Sequence, residues 1–363
     1  MAENSRQFNL GTARRPFTVE IAVNPIFDLL LATWSSRGEG EKTSSWSIGE
    51  EWLSDFRESI HPDIWSEFDM LSGESEADWL LWLIIGLLAE EAAELEAVTD
   101  ALDWLDSVDL RSMLLANLCP GAGSELIDCV AAGDETELER LLEHAEQVES
   151  SKEPSRDVMI EVLARLDTTR LVEALRAVND TAFAGFADEW APALARSADT
   201  VGMTLPGSQP QALIERITNG IDYEIPLGVT RLVLVPSVVI RPFSMVNDAG
   251  SGVVLAYPVD DEHLVDDPDA PPTWLVNYFK ALGDPRRLKL LRRLELGPAD
   301  LTELSDLIGM AKTSTFHHVG VLRSAGLVTV HIGGSNSGTY ELRRQAFGDA
   351  DGLLHKYLNL TEF

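Results

Sequence analysis

The spacing of apolar residues changes along this chain, and these changes constrain its fold more than any other feature. From about residue 26 to residue 220, apolar side chains recur every three or four positions, which is the period of an amphipathic helix. After residue 221 the chain turns to short runs of Val, Ile and Leu between Asn-Asp and Gly-Ser-Gly turns, which favour strands. The sequence therefore predicts an α+β protein, mostly α, whose N-terminal helical domain contains a small β-sheet.

A separate strand near the N-terminus is predicted to join this sheet. Residues 17–23, FTVEIAV, alternate in polarity and are rich in β-branched side chains, and Asn24-Pro25 ends the run. Short strands need partners, so this strand is expected to pair with those after residue 221. We assign residues 16–259 to the helical and β domain, and residues 1–15, which hold no apolar run of a secretory signal, to a disordered tail.

A second boundary is predicted at residues 260–272, DDEHLVDDPDAPP. This stretch is acidic, contains prolines and has no apolar period, which is typical of a linker. The residues that follow divide into a segment of short elements, residues 273–348, and a final helix, residues 349–363.

The signals that begin and end helices are regular in residues 273–348. Asp284 is predicted to cap one helix and Thr302 the next, which Gly309 ends. A further helix runs from about residue 312 to Gly326, and two strands joined by a Gly/Ser/Asn turn follow as a β-hairpin. This order of short helices, tight turn, helix and hairpin predicts a C-terminal winged helix-turn-helix.

A continuous pattern of residues runs through the same segment. Residues 281–330 read ALGDPRRLKLLRRLELGPADLTELSDLIGMAKTSTFHHVGVLRSAGLVTV. They resemble the ArsR family of bacterial and archaeal transcriptional regulators, which carry L.DPTRR.IL..L..G.LTV.ELA..LGL..ST.SHHL..LREAGLV before a wing. The resemblance covers residues 273–348, about a fifth of the chain. A subset of that family, with a large domain before the winged helix, is similar to the whole arrangement.

Charge separates this segment from the rest of the chain. The protein carries a formal net charge of -32, yet residues 273–347 hold ten Lys or Arg against six Asp or Glu, a net of +4 that leaves -36 elsewhere. Residues 310–327 contain a Lys, four hydroxyl side chains, two His and an Arg, and no carboxylate. DNA presents phosphates and base edges, so a helix that enters the major groove excludes carboxylates and offers donors.

The predicted DNA-binding set lies mainly on the helix that begins near residue 312. Its early side chains point outward, whereas Phe316, Val319 and Leu322 are expected to be buried. The resemblance implies that the early positions contact bases and backbone and that arginines reach phosphates. The set is Lys312, Thr313, Ser314, Thr315, His317, His318, Arg323, Arg286 and Arg287.

Several of these residues also have an ordinary structural interpretation. His318 aligns with a family position that usually packs or hydrogen-bonds inside the fold, Thr313 is a plausible cap, and the arginines fit a solvated helix face. Gly320 replaces a frequent family Lys or Arg and costs roughly 1 kcal/mol of helix propensity. The turn of the hairpin lacks the Arg common at the family's wing.

A metal site finds little support. Metal-sensing members of the family carry a Cys pair on the helix that matches residues 301–307, where this chain has no cysteine. Asp349, Asp351 and His355 offer a second family set, but their spacing is loose and such residues are usually caps or surface side chains. We therefore predict no metal.

An enzyme finds little support either. Cys119 and Cys129 form no CxxC pair and fit ordinary reduced thiols. The chain contains no GxSxG, HExxH, P-loop or GxGxxG motif. We therefore predict no enzymatic activity, no catalytic residue and no cofactor. The eight Trp before the linker form either a ligand pocket or core, and the helical spacing of Trp79, Trp82 and Trp104 favours core.

The sequence thus predicts a cytoplasmic transcriptional regulator that binds double-stranded DNA as a homodimer. An unknown small-molecule or protein effector is expected to act through the N-terminal domain, and the helices at 273–282 and 349–363 offer apolar faces for dimerisation. No membrane partner is expected, because the longest apolar run spans only 11 residues. One alternative stays open, a non-catalytic adaptor in which the winged helix is a protein–protein dimerisation module.

Overall fold

The protein is mostly helical with two small sheets, an α+β arrangement, as seen in a computed structural model. The structure describes residues 5–9, 17–37, 46–72, 78–91, 95, 97–146, 155–205, 209–226, 228–249, 252–264, 271, 273–333, 338–344, 346–347, 354–355 and 357–358.

The helices divide into a long N-terminal series and a short C-terminal one. The first series is α1 (Ile26–Arg37), α2 (Glu50–Ser59), α3 (Pro62–Ser72), α4 (Asp78–Glu91), α5 (Val98–Ser107), α6 (Leu110–Leu118), α7 (Ser124–Ala131), α8 (Glu135–Glu146), α9 (Arg156–Ala164), α10 (Thr168–Val178), α11 (Ala184–Thr204) and α12 (Pro210–Ile217). The second is α13 (Thr273–Leu282), α14 (Pro285–Leu294), α15 (Leu301–Ile308) and α16 (Lys312–Ser324).

The strands are β1 (Ser5–Asn9), β2 (Thr18–Ala22), β3 (Ile221–Tyr223), β4 (Arg231–Ser237), β5 (Met245–Ala249), β6 (Gly252–Pro258), β7 (Ala299–Asp300), β8 (Val328–Ile332) and β9 (Thr339–Leu342). One sheet has the order β1-β2-β4-β6-β5, and the other has the order β3-β8-β9-β7.

The first sheet joins the beginning and the end of the N-terminal part. Strand β2 pairs in parallel with β4, with Thr18 opposite Arg231, so the predicted partnership of residues 17–23 is confirmed. Strand β1 pairs antiparallel with β2. The segment predicted as a disordered tail therefore contains a strand. The backbone groups of β1 satisfy an edge of β2 that would otherwise be unpaired.

Helices cover both faces of this sheet. Val233 and Val235 of β4 belong to the large core formed with the N-terminal helices, whereas Leu232 and Leu234 pack on the opposite face with Leu213 of α12. This division follows from the alternation of side chains along a strand. The tryptophans Trp79, Trp82 and Trp104 pack against the large core, which confirms their interpretation as core residues.

The C-terminal helices have their own core and mostly the predicted ends. Asp284 caps α14, where its carboxylate accepts a hydrogen bond from the Arg286 amide at 2.7 Å. Gly309 ends α15 in the left-handed conformation. The predicted cap Thr302 is wrong, because the carboxylate of Asp300 accepts from the Glu303 amide at 2.9 Å. Aspartate two residues earlier has the reach to the first-turn amides.

The second sheet crosses the predicted linker. Strand β3, which precedes the linker, pairs in parallel with β8 of the hairpin, with Ile221 opposite Val330. Gly220 makes this approach sterically feasible, because a Cβ there would lie 2.7 Å from the carbonyl oxygen of Val328. The short strand β3 therefore belongs with the C-terminal hairpin rather than with the first sheet.

The beginning of the predicted linker is packed against the N-terminal part. Residues Asp261–His263 form a 3-10 turn, His263 is buried, and its carbonyl oxygen accepts a hydrogen bond from Arg196. Asp261 forms an ion pair with Arg241. Residues 265–270 and 272 lie outside the described structure, as do most of residues 349–363, and the domain boundaries stay a prediction. Within the described part of the chain, no helix combines the length and hydrophobicity needed to cross a bilayer.

Candidate nucleic-acid interface

The N-terminal end of α16 forms an exposed, donor-rich surface. Lys312 and Thr313 are exposed, and Ser314 and His317 are half-buried. No side chain caps this end of the helix, and its first turn contains no acidic residue. Because the first amides of a helix have no intrahelical partner, they add donors and positive potential to those of Lys312 and Thr313. The combination is suited to binding an anion.

Phe316 belongs to this surface rather than to the core, so its predicted burial is wrong. The Phe316 side chain is 61% exposed, and the buried stripe of α16 consists of Thr315, His318, Val319 and Leu322. Residues six apart on a helix differ by about 120° in direction, so Phe316 and Leu322 cannot both point into one core. The i, i+3, i+4, i+7 spacing of the stripe begins one residue earlier than predicted.

Two predicted DNA-binding residues lie inside the helical segment. Thr315 is fully buried, and its hydroxyl donates to the carbonyl oxygen of Ala311 at 3.1 Å. His318 is buried with no hydrogen-bond partner at Nδ1. Burial lowers the pKa of His318 despite the opposing attraction of Asp284. Both side chains therefore face the protein, and His318 stays uncharged at neutral pH.

The three predicted phosphate-binding arginines have different surroundings. Arg286 is exposed at the start of α14. Arg287 donates to the carbonyl oxygens of Ala281 and Lys280, at 2.7 and 2.6 Å, and so completes the C-terminal end of α13. Arg286 therefore remains accessible to solvent, whereas Arg287 has a structural role within the described residues.

Arg323 lies in the contact with the N-terminal part. Its side chain is buried, Nη1 donates to the carbonyl oxygen of Thr218 at 3.1 Å, and the guanidinium lies 5.9 Å from the centre of the Phe243 ring. Burial lowers the pKa of Arg323 to about 10, so the group remains protonated at neutral pH. In this arrangement its charge is directed into the protein and away from solvent.

The segment that contains α16 matches a known protein family. Residues 284–330 match the model of the family described as "Bacterial regulatory protein, arsR family". This segment is an ArsR-type helix-turn-helix.

Two curated proteins are similar to the ArsR-type segment. The HTH-type transcriptional regulator NmtR of Mycobacterium tuberculosis (strain ATCC 25618 / H37Rv) is 43% identical over 54 residues, which cover 15% of this chain and 45% of NmtR. The transcriptional repressor SdpR of Bacillus subtilis (strain 168) is 33% identical over 55 residues, 15% of this chain and 61% of SdpR. The chain thus spans about half the length of these relatives. No solved structure matches significantly.

The hairpin after the ArsR-type α16 is connected to the N-terminal part through a histidine. His331 of β8 lies between two carboxylates, with Nδ1 2.9 Å from Asp222 Oδ2 and Nε2 3.1 Å from Glu341 Oε2. Asp222 belongs to β3 and Glu341 to β9. The His331 side chain therefore links three strands of the second sheet. The turn at residues 334–337 lies outside the described structure.

Possible metal ligands come together elsewhere, at the start of the predicted linker. Among the described residues, the ligand atoms of Asp260, Glu262 and His263 lie within 4.8 Å of one another. Two of these residues are exposed, and exposed carboxylates often lie close together without a metal. Asp349 and Asp351 of the other predicted set lie outside the described residues.

Proposed function

We propose that this protein is a DNA-binding transcriptional regulator that reads the major groove with the N-terminal half of α16. The observation that carries the proposal is the exposed, uncapped and carboxylate-free start of that helix within the ArsR-type segment. A recognition helix places its N-terminal residues against base edges, and the second helix of a helix-turn-helix enters the groove. Both relatives are named as transcriptional regulators, which supports this role.

Each exposed group has a defined task in the proposed complex. The Lys312 ammonium and the first amides of α16 bind a phosphate, and Arg286 binds another across the groove. Thr313 and His317 donate to or accept from base edges, and Phe316 supplies an apolar contact. The hairpin β8–β9 acts as the wing of a winged helix-turn-helix. Gly320 and the wing turn contribute no cation, so the affinity depends on few phosphate contacts.

The assembly and regulation belong to the same proposal. A single recognition helix reads only a few base pairs, so the protein binds as a homodimer to two half-sites about one helical turn apart. The N-terminal domain transmits the signal of a small-molecule or protein effector. A regulator of this kind acts where the chromosome is, in the cytoplasm.

The test is selection of a duplex from a random library by the purified full chain, followed by titration of the selected duplex at several salt concentrations. Lys312→Ala is expected to weaken binding about tenfold, the loss of one good phosphate contact, and to lower the salt slope by about one. Lys280→Ala is the matched control, because Lys280 is also exposed but lies outside the matched segment. Equal affinities of Lys312→Ala and Lys280→Ala for the selected duplex would reject the proposal.

A further inference from the structure

The exposed face of α16 is covered along its second half. Thr313 and Gly320 lie on nearly the same line of the helix, because seven residues make almost two turns, and they are about 10 Å apart. The ring of Phe243, from the loop after β4, packs directly on Gly320: a Cβ at Gly320 would be 3.1 Å from Phe243 Cε1. Arg323, one turn further, lies against the same ring.

Hydrogen bonds extend this contact beyond Phe243. Asn219 Nδ2 donates to the carbonyl oxygen of Ser324 at 2.9 Å, at the C-terminal end of α16. The Val330 amide donates to the carbonyl oxygen of Gly220 at 2.8 Å, as part of the pairing of β3 with β8. Together with the bond from Arg323 to Thr218, these contacts attach residues 218–220 after α12, strand β3 and the Phe243 loop to α16 and the hairpin.

The glycines at this contact fit close approach. Gly320 lies inside a helix, where glycine is unfavourable relative to alanine, and any larger side chain would displace the Phe243 ring. Gly326 has φ +70°, and a Cβ there would lie 2.9 Å from Asn219 Oδ1. The cation that the family often carries at position 320 is thus replaced by a residue that permits the cover.

The covering loop packs against the large helical core through aromatic side chains. The Phe243 ring packs against Trp46 with ring centres 6.1 Å apart, and Trp46 packs against Trp34 at 5.8 Å. Trp34 in turn contacts Trp82 of α4. A row of aromatic side chains therefore connects α16 with the large core, so Phe243 is held by the body of the protein.

The cover lies within reach of a duplex bound to the start of α16. The major groove is about 12 Å wide, and the Phe243 ring contacts Gly320, about 10 Å along the helix from Thr313. A phosphate strand that flanks a base edge at Thr313 would therefore compete with Phe243 for the space beside α16. We propose that residues 218–220, strand β3 and the Phe243 loop form an autoinhibitory cover on the recognition helix. DNA binding then requires that the contacts to Gly320, Ser324 and Val330 open. This inference rests on the proposed function of α16.

A reversible lock tests the cover directly. Asp222 and His331 are paired across β3 and β8 with side chains in contact, so the double variant Asp222→Cys, His331→Cys is designed to form a cross-link that fixes the covered state. The oxidised double variant is expected to lose measurable binding to a duplex selected as above, and reduction is expected to restore it. Wild type treated with the same oxidant controls for Cys119 and Cys129.

Phe243→Ala tests the same cover by weakening it instead of fixing it in place. Removal of the ring is expected to tighten binding of the selected duplex at least tenfold, with the fold checked by circular dichroism. Equal binding by the oxidised and reduced double variant would overturn the cover while leaving the DNA-binding proposal intact. Failure of wild type, Phe243→Ala and the reduced double variant to bind any duplex would overturn both.

Discussion

At the scale of single residues, the exposed Phe316 distinguishes the start of α16 from a helix end that presents polar groups alone. Phe316 is 61% exposed and follows Lys312 by four residues and Thr313 by three, so these positions share one side of the helix, ahead of the part covered by Phe243. An aromatic side chain in the major groove has one apolar target on the base edges, the C5 methyl group of thymine.

We therefore expect Phe316 to read a thymine. Each thymine of the selected duplex is replaced in turn by uracil, which lacks the methyl group. At the thymine that Phe316 contacts, this replacement should weaken wild-type binding about fourfold, since a buried methyl contributes roughly 0.8 kcal/mol. Phe316→Ala should bind the two duplexes equally in a fluorescence anisotropy titration. Leu288→Ala, which also changes an exposed apolar residue, should keep the difference. If Phe316→Ala also bound the uracil duplex about fourfold more weakly, Phe316 would not be the residue that contacts the thymine methyl.

A second residue-scale prediction concerns Asp28 on α1. Its carboxylate is buried and accepts hydrogen bonds from Ser237 and from the amides of Val238 and Val239. Burial raises the pKa of Asp28 to about 6 despite these bonds. The folded state therefore holds this proton more tightly than the unfolded state, and the resulting stability is lost as the pH rises through about 6.

The free energy of unfolding should accordingly fall by about 2 kcal/mol between pH 4 and pH 7 through this one group. The free energy of unfolding of Asp28→Asn should not show this decrease with pH, because the amide does not titrate. Denaturant unfolding of both proteins at several pH values measures the difference. Parallel pH profiles would show that Asp28 titrates alike in the folded and unfolded states.

At the scale of elements, α16 serves two surfaces of the protein at once. Val319 and Leu322 pack into the core of its own segment, while Gly320 and Arg323 contact the N-terminal part. Only the first turns remain for a ligand. The packing of neighbouring helices, especially α15, therefore affects the orientation of these first turns. The stability of α15 depends in turn on the residues at its ends.

The cap of α15 provides a test of this dependence. Asp300→Ala removes the acceptor of the Glu303 amide and should lower the free energy of unfolding by about 1 kcal/mol. Thr302→Ala, the matched control two residues away, lies at an exposed position and should change it by less than about 0.5 kcal/mol. Thermal or denaturant unfolding monitored by circular dichroism compares them. A larger loss for Thr302→Ala would contradict the observed cap.

At the scale of the whole molecule, the C-terminal segment is joined to the acidic part through a shared sheet. Strand β3 occupies the outer edge of β8, and the edge strand that results is only three residues long. Short edge strands limit pairing between molecules. The strand pairing also gives the contact a backbone component that no single side-chain substitution removes.

Amide hydrogen exchange can measure this connection. The Val330 amide, bonded to Gly220, should exchange at least about 100-fold faster in a fragment of residues 271–363 than in the full chain, because its acceptor is missing. The Leu327 amide bonds to Leu322 within the same segment and should keep its protection in both. Equal protection of Val330 in both proteins would show that β3 contributes nothing to it.

Much of the C-terminal segment could be predicted because its signals are local. Asp284, Gly309 and the apolar spacing specify where α14 and α15 begin or end within a few residues. The chemistry of the exposed start of α16 was also readable, since Lys312 and Thr313 precede its buried stripe. The sequence did not predict where that stripe begins. Whether Thr315 or Phe316 is its first buried residue depends on how α13 and α14 pack against α16.

The sequence by itself determined the change from helices to strands after residue 221, the ends marked by Asp284 and Gly309, and the charge contrast between the two parts. These properties depend on neighbours within a few positions. Only the tertiary structure decided that Arg323 faces Thr218 and Phe243, that Gly320 permits a close contact, and that β3 pairs with β8 across about 100 residues. Such contacts join residues far apart in the chain, and their geometry is set by how the helices and sheets pack rather than by any local pattern.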